Sequence, residues 1–398
     1  MACRAGRKLS VLVALLLGCG GRGVVVEQVG DNGAPPEAGD AGATPSVDGG
    51  PGPVAAPGCI TDATLPPGAV VIACGFAPNL VMIGADAEAV YALTAAGQFY
   101  RVDTATHATT LLYSSPTDNP DNLPAALATV VSGGRIYFES HLTADPNVFG
   151  IASLDATQPS QPEVVVPSGA SGGPLVVLGG SIYYEHDNGS GLDAVYGAPL
   201  TGGPGTLVSQ GDAWPVAGVD GFLYLAVPPD SGVAEYGQLV RVPAGGGSPS
   251  VVIDSLDTPS GGDVGDGCLA VDGTYAYMLG PADPSLGNAV ERFSVAAGGS
   301  PTTLASVRSG GGEIIIGAPS LLREDGAYLY FQQTVEGDML SELERVSTVP
   351  GTPSQAPDVV LEAYVMGAPV FDATSLYVAY QRGGTTGPLE GTVLRLAK

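Results

Sequence analysis

Residues Val271–Ser306 read VDGTYAYMLGPADPSLGNAVERFSVAAGGSPTTLAS, and the order of residue types in them decides the fold. A short apolar run from Cys268 to Val271 meets Asp272-Gly273, after which Tyr275 to Leu279 resumes in aromatic and aliphatic residues. That pattern predicts strand, tight turn, strand, because Asp-Gly tolerates the positive backbone angles of a hairpin turn. Beyond a loop with Pro281, Pro284 and Gly287, Ala289 to Val295 predicts a third strand. Gly298-Gly299 then turns the chain into a fourth, Thr302 to Leu304. Four short antiparallel strands result.

Anchored on the second-strand tyrosine, the unit recurs at Tyr91, Tyr137, Tyr183, Tyr224, Tyr277, Tyr330 and Tyr377. The steps are 46, 46, 41, 53, 53 and 47 residues, the length of a four-stranded propeller blade. Ahead of each tyrosine stands a turn: Asp86, Gly133-Gly134, Gly179-Gly180, Asp220-Gly221, Asp272-Gly273, Asp325-Gly326 and Asp372-Ala373. The third strand carries Arg101, Arg241, Arg292, Arg345 and Arg395, while the second and third copies lack the arginine. Pairing on the strand surface or between blades accounts for these arginines without a ligand.

One such sheet cannot bury both of its faces, so the copies must stack around an axis, and closing the ring protects strand edges from association. The expectation is an all-β, seven-bladed β-propeller with four antiparallel strands per blade. The last copy ends after its third strand, at Lys398. By alignment of the repeats, Val70 to Ala73 supplies the missing strand, so an N-terminal strand closes the last blade.

The chain start has other business. Residues 1–19 carry Arg4, Arg7 and Lys8, then an apolar run Leu9 to Leu17, then Gly18-Cys19, the layout of a secretory leader. Leu16-Leu17-Gly18-Cys19 resembles the bacterial lipobox, which implies diacylation of Cys19 and a membrane partner through that lipid. Gly20, where an aspartate would favour the inner membrane, implies the outer membrane or cell surface; a plain secretory signal is the alternative. Residues 20–58 are rich in Gly, Pro, Ala and Asp, a composition expected to form a disordered tether, and the propeller domain is expected to span 59–398.

Once Cys3 leaves with the leader and Cys19 is acylated, Cys59, Cys74 and Cys268 remain. An odd number in an oxidising compartment allows one bridge and a spare thiol. Cys59 with Cys74 is the favoured pair, because it flanks the closing segment.

Lys+Arg 14 against Asp+Glu 40 gives a formal net charge of −26. Nucleic acid is thereby excluded as a partner, since its phosphates ask for a basic surface. The chain lacks the H-E-x-x-H helix, the G-x-S-x-G elbow and the phosphate loop ending in lysine. One constellation is left: Glu139 and Glu185 each lie two residues after their tyrosine, with His141 and His186 close behind. Two carboxylates and two imidazoles on neighbouring strands could ligate a divalent cation or serve as base and acid, or simply form polar strand ends. The third histidine is His107. Acidic loops at Asp118–Asn122, Asp187–Gly189 and Asp254–Asp266 could hold calcium, yet turn chemistry explains them equally well.

Taken together, the chain resembles bacterial lipoproteins that carry a β-propeller of tyrosine and Asp-Gly marked repeats. The resemblance implies a non-catalytic, monomeric cell-envelope module for an unidentified protein or glycan, with no cofactor. The alternative is a metal-dependent lyase or hydrolase acting on an extracellular polymer through Glu139, His141, Glu185 and His186.

Overall fold

The protein is described by a computed structural model. It covers residues 54–55, 59, 65–77, 79–115, 128–141, 149–171, 173–187, 193–211, 213–227, 237–256, 269–283, 287–296, 300–306, 322–324, 327–334, 341–350, 356–363, 365–382 and 390–398. The leader with Cys19, the tether up to Val54, Cys268, Asp325-Gly326 and most of the three acidic loops lie outside these residues. All regular structure among the described residues is β-strand. Meanders 81–114, 214–256, 269–306 and 322–363 each form a four-stranded sheet. Meanders 129–170 and 176–209 are joined into one eight-stranded sheet by a single bridging pair, Ala170 opposite His186.

The last sheet has five strands and joins segments far apart in the sequence. Strand Val70–Phe76 lies antiparallel to Glu390–Ala397, with Val70 opposite Arg395 and Val71 opposite Leu394. Outside it, Val54–Ala55 adds in parallel, Val54 opposite Val70. Paired chain therefore begins ahead of Cys59, the boundary expected from composition, because an alanine and a valine can join a sheet edge through backbone bonds alone. Cys59 and Cys74 are disulfide-bonded, with Cα atoms 5.9 Å apart.

The turns before the tyrosines are of two kinds, set by one residue of spacing. Gly133-Gly134, Gly179-Gly180 and Asp220-Gly221 are two-residue hairpins with positive φ at both positions, the geometry expected from the sequence. At Asp86, Asp272 and Asp372 the tyrosine stands five residues later, and the aspartate side chain does the turning. Asp272 Oδ1 accepts from the backbone N–H groups of Thr274 and Tyr275, and Oδ2 accepts the Tyr277 hydroxyl at 2.8 Å. Asp372 does the same with Thr374, Ser375 and Tyr377, and Asp86 with Glu88, Ala89 and Tyr91. Positive φ at Asp-Gly is thus not the common device: Asp86 and Asp372 are followed by alanine, and a self-capping carboxylate replaces the glycine.

Each third-strand arginine sits directly opposite an anchor tyrosine: Tyr91 with Arg101, Tyr224 with Arg241, Tyr277 with Arg292, Tyr330 with Arg345, Tyr377 with Arg395. In three of the five the guanidinium stacks on the aromatic ring two residues before the tyrosine: Arg241 over Phe222 at 5.0 Å, Arg292 over Tyr275 at 4.2 Å and Arg345 over Tyr328 at 4.5 Å. It also reaches outward. Arg292 donates to the carbonyl of Thr348 at 3.0 Å and Arg395, at a longer 3.5 Å, to that of Thr104. Both acceptors stand in the following meander, just after its third strand. Where Gly197 replaces the arginine, Tyr183 itself donates to Ala244, the equivalent carbonyl, at 2.8 Å. Arg292 and Arg395 therefore link meanders, while Arg101, Arg241 and Arg345 pair within their own, the two roles that the sequence reading offered.

The core lies between sheets. Tyr91, Tyr137, Tyr183, Tyr224, Tyr277, Tyr330 and Tyr377 each belong to a buried cluster shared with the next meander along the chain. The succession closes on itself. Tyr377 packs with Met82 and Val90, and the closing strand adds Ile72 and Phe76 to the same cluster, with Phe76 edge-on to Tyr100 at 5.0 Å. His107 is beside this junction: burial and the nearby Arg395 both push its imidazole pKa down.

Burial, then the bonds to Asp86 and Asp372, raise the Tyr91 and Tyr377 pKa values from 10.0 to about 12. A folded value above the unfolded one gives a contribution that is complete below pH 10 and lost as pH rises towards 12. The urea midpoint of the protein should fall over that interval, and Tyr377→Phe should fall less while costing about 1 kcal/mol at pH 7.

Candidate functional site

Second strands run away from the tight turn, so residues two and three beyond each anchor tyrosine approach the opposite end of the sheet. From that end leave both the connections into third strands and those into the next meander. The longest, 115–128, 257–268 and 307–321, all start there. They contain Asp118, Asp121, Asp257, Asp263, Asp266 and Glu313, with Arg308 as their one basic residue.

Glu139 lies on Arg135–His141, and Glu185 with His186 on Ser181–Asp187. Alternation of side chains along a strand decides where they go. Glu139 shares the face of Tyr137, which is buried against meander 176–209. Glu185 shares the face of Tyr183, which is buried against meander 214–256. Equivalent positions in adjacent meanders thus put the two carboxylates in consecutive interfaces, with meander 176–209 between them. His186, one residue on, faces back with Tyr184 into the interface that holds Glu139. The sequence grouped four residues; the pleat groups Glu139 with His186 and removes Glu185. The backbone of His141 pairs with Phe149, and its side chain lies outside the description. No three His, Cys, Asp or Glu side chains among the described residues are grouped to hold a metal ion.

Around the retained pair the environment is aromatic and enclosed. Glu139 is 4% exposed. The Tyr184 hydroxyl is pushed up to about 12, first by burial, then by Tyr196 and by the Glu139 carboxylate. His186 packs on Tyr196 with centroids 4.3 Å apart and lies edge-on to Tyr184 at 6.3 Å. Across it runs Ser168-Gly169-Ala170-Ser171, where the bridge of Ala170 to His186 forms. A Cβ on Gly169, whose φ is +96°, would stand 2.0 Å from His186 Cε1, and one on Gly173 would stand 2.3 Å from Glu185 Oε2. Nδ1 of His186 and Oγ of Ser171 are enclosed without a hydrogen bond among the described residues. Ser171, Tyr184, Tyr196 and the crossover glycines were missed in the sequence; the run of small residues from Ser168 to Gly173 was their only trace.

No protein-family profile matches the chain, and no curated protein sequence does. Solved structures do. A puromycin hydrolase aligns at TM-score 0.55 and 14% identity over 81% of this chain and 52% of its own. Prolyl oligopeptidase B from Galerina marginata aligns at 0.52 and 10% over 78% and 47%. The β-propeller domain of the trilobed protease from Pyrococcus furiosus aligns at 0.48 and 12% over 79% and 95%. The likeness is one of fold. The chain spans about half the length of the two hydrolases, and with the ring of meanders described above it is a β-propeller.

Gly169→Ala should be among the most damaging single-methyl changes, lowering stability by roughly 2–4 kcal/mol through clash and positive φ together. Gly173→Ala should cost less, since a carboxylate can swing aside; thermal unfolding of the two variants checks the order.

Proposed function

We propose that this chain is a lipid-anchored binding module of the bacterial cell envelope. In this reading Cys19 carries the lipid, residues 20–53 form the tether, and the two meanders of the eight-stranded sheet count as separate blades, making seven. The ring presents its acidic end, where the long connections leave, to a protein or glycan. A flexible tether of about 34 residues reaches roughly 32 Å, enough to hold the ring clear of lipid headgroups.

One observation carries the reading. The recurring tyrosines, aspartates and arginines are consumed in turns and inter-sheet contacts, so what differs between blades is the set of connections at one end, and variable loops on a rigid frame are where recognition sits. Support for the alternative, a metal-dependent lyase or hydrolase, is weaker, since the tyrosines whose faces Glu139 and Glu185 share are buried in different interfaces.

Expression in a two-membrane bacterium with labelled palmitate tests the anchor: wild type should incorporate label and float with outer membrane, and Cys19→Ala should do neither. Label on the Cys19→Ala protein would contradict the assignment. For the binding end, residues 54–398 should capture one envelope component, and replacing 115–128 and 257–268 by Gly-Ser linkers of equal length should abolish that capture without lowering the melting temperature.

A further inference from the structure

The segment before the closing strand does more than lead into it. Leu65 and Ala69, 6% and 0% exposed, are buried with Tyr330, Leu343 and Leu361 of meander 322–363 and with Leu376, Leu394 and Leu396 of the last sheet. Val71 joins them there, and Cys59 and Cys74 pack on the rim of the same cluster. On its other face the closing strand contributes Ile72 and Phe76 to the cluster with meander 81–114. Cys59 and residues 65–76 therefore tie three consecutive sheets together.

The closing strand's hydrogen bonding is interrupted. Register shifts fall between Val71 and Ala73 and again between Ala73 and Phe76, opposite Val393 and Gly391. Cys74 stands in the second irregularity, followed by Gly75 at φ +80°. At that break the disulfide takes hold, closing a loop with a sequence separation of 15. Both cysteines are half-buried, which leaves the bond open to a small thiol.

We propose that the Cys59–Cys74 disulfide is a reducible latch on the ring. A dithiol reductant attacks one sulfur through its thiolate, and the second protein sulfur leaves as thiolate and takes up a proton. The reductant's other thiol then resolves the mixed disulfide. Two electrons and two protons pass to the protein, and the reductant leaves as its own disulfide. Freed of the loop constraint, Cys59 and residues 65–69 swing off the cluster, and the bulged strand 70–76 opens from 390–397 while the other meanders stay folded. Local opening of this kind is expected where few ladder bonds hold an element.

Hydrogen exchange read by mass spectrometry on the full chain, with and without a dithiol at neutral pH, tests this. Removing a loop of this length should speed exchange of 65–76 and 390–397 roughly 100-fold. Exchange in meander 214–256 should stay unchanged. Uniform acceleration across all meanders would mean that the bond supports global stability only, and no acceleration would mean that the closing strand is held without it; either overturns the latch. Cys59→Ala/Cys74→Ala should reproduce the reduced pattern, and if that variant fails to fold, the reductant arm on folded wild-type protein decides alone.

Discussion

A four-stranded antiparallel sheet with apolar residues on both faces has nowhere to put them within itself. In this protein the answer is the same in every repeat: a second-strand tyrosine, 1–3% exposed, is pressed from each meander into the next. An aromatic ring buries more apolar surface than any aliphatic side chain and still needs its hydroxyl satisfied. Three of the hydroxyls return to an aspartate in their own turn and one crosses to a neighbouring carbonyl. Hydrophobic contact sets the stacking, and hydrogen bonds set its register.

Closure follows from the same constraint. A row of such sheets would leave one tyrosine face bare at the end of the chain and one apolar face bare at the start. Tyr377 meeting Val90 and Met82 removes both at once, and Arg395 reaching Thr104 repeats across the junction the contact that Arg292 makes with Thr348. The last meander contributes the strands 365–371, 375–382 and 390–397, and Val70–Phe76 supplies the fourth. Strands 70–76 and 390–397 are thereby committed to one sheet, and the disulfide lies beside that commitment.

Much of this was legible because it repeats. Tyrosine spacing gave the unit, the unfinished last copy called for the strand at Val70, and counting cysteines left Cys59 with Cys74 as the favoured pair. What repetition hides was not legible. Asp86 and Asp220 look alike in the sequence, but a single residue in the distance to the tyrosine separates a carboxylate-capped turn from a positive-φ one. Glu139 and Glu185 look like a pair because they occupy the same position in adjacent copies, and in a ring that sameness is what sends them into different interfaces. The bridge from Ala170 to His186 occurs once, so no periodic signal could announce it. Val54–Ala55 joins through its backbone, which composition does not record.

Distances between equivalent outer-strand positions test the closed, sevenfold arrangement most directly. Leu111, Leu207, Val251 and Val359 are exposed at matching registers, and each can take a spin label for pulsed dipolar spectroscopy. In the proposed ring, the pairs 111/207, 251/359 and 359/111 are all two blades apart, so the three distances should agree within the spread of the label. A shorter 111/207 distance would show that the eight-stranded sheet is one sector rather than two, and a much longer 359/111 distance would show that the ring does not close.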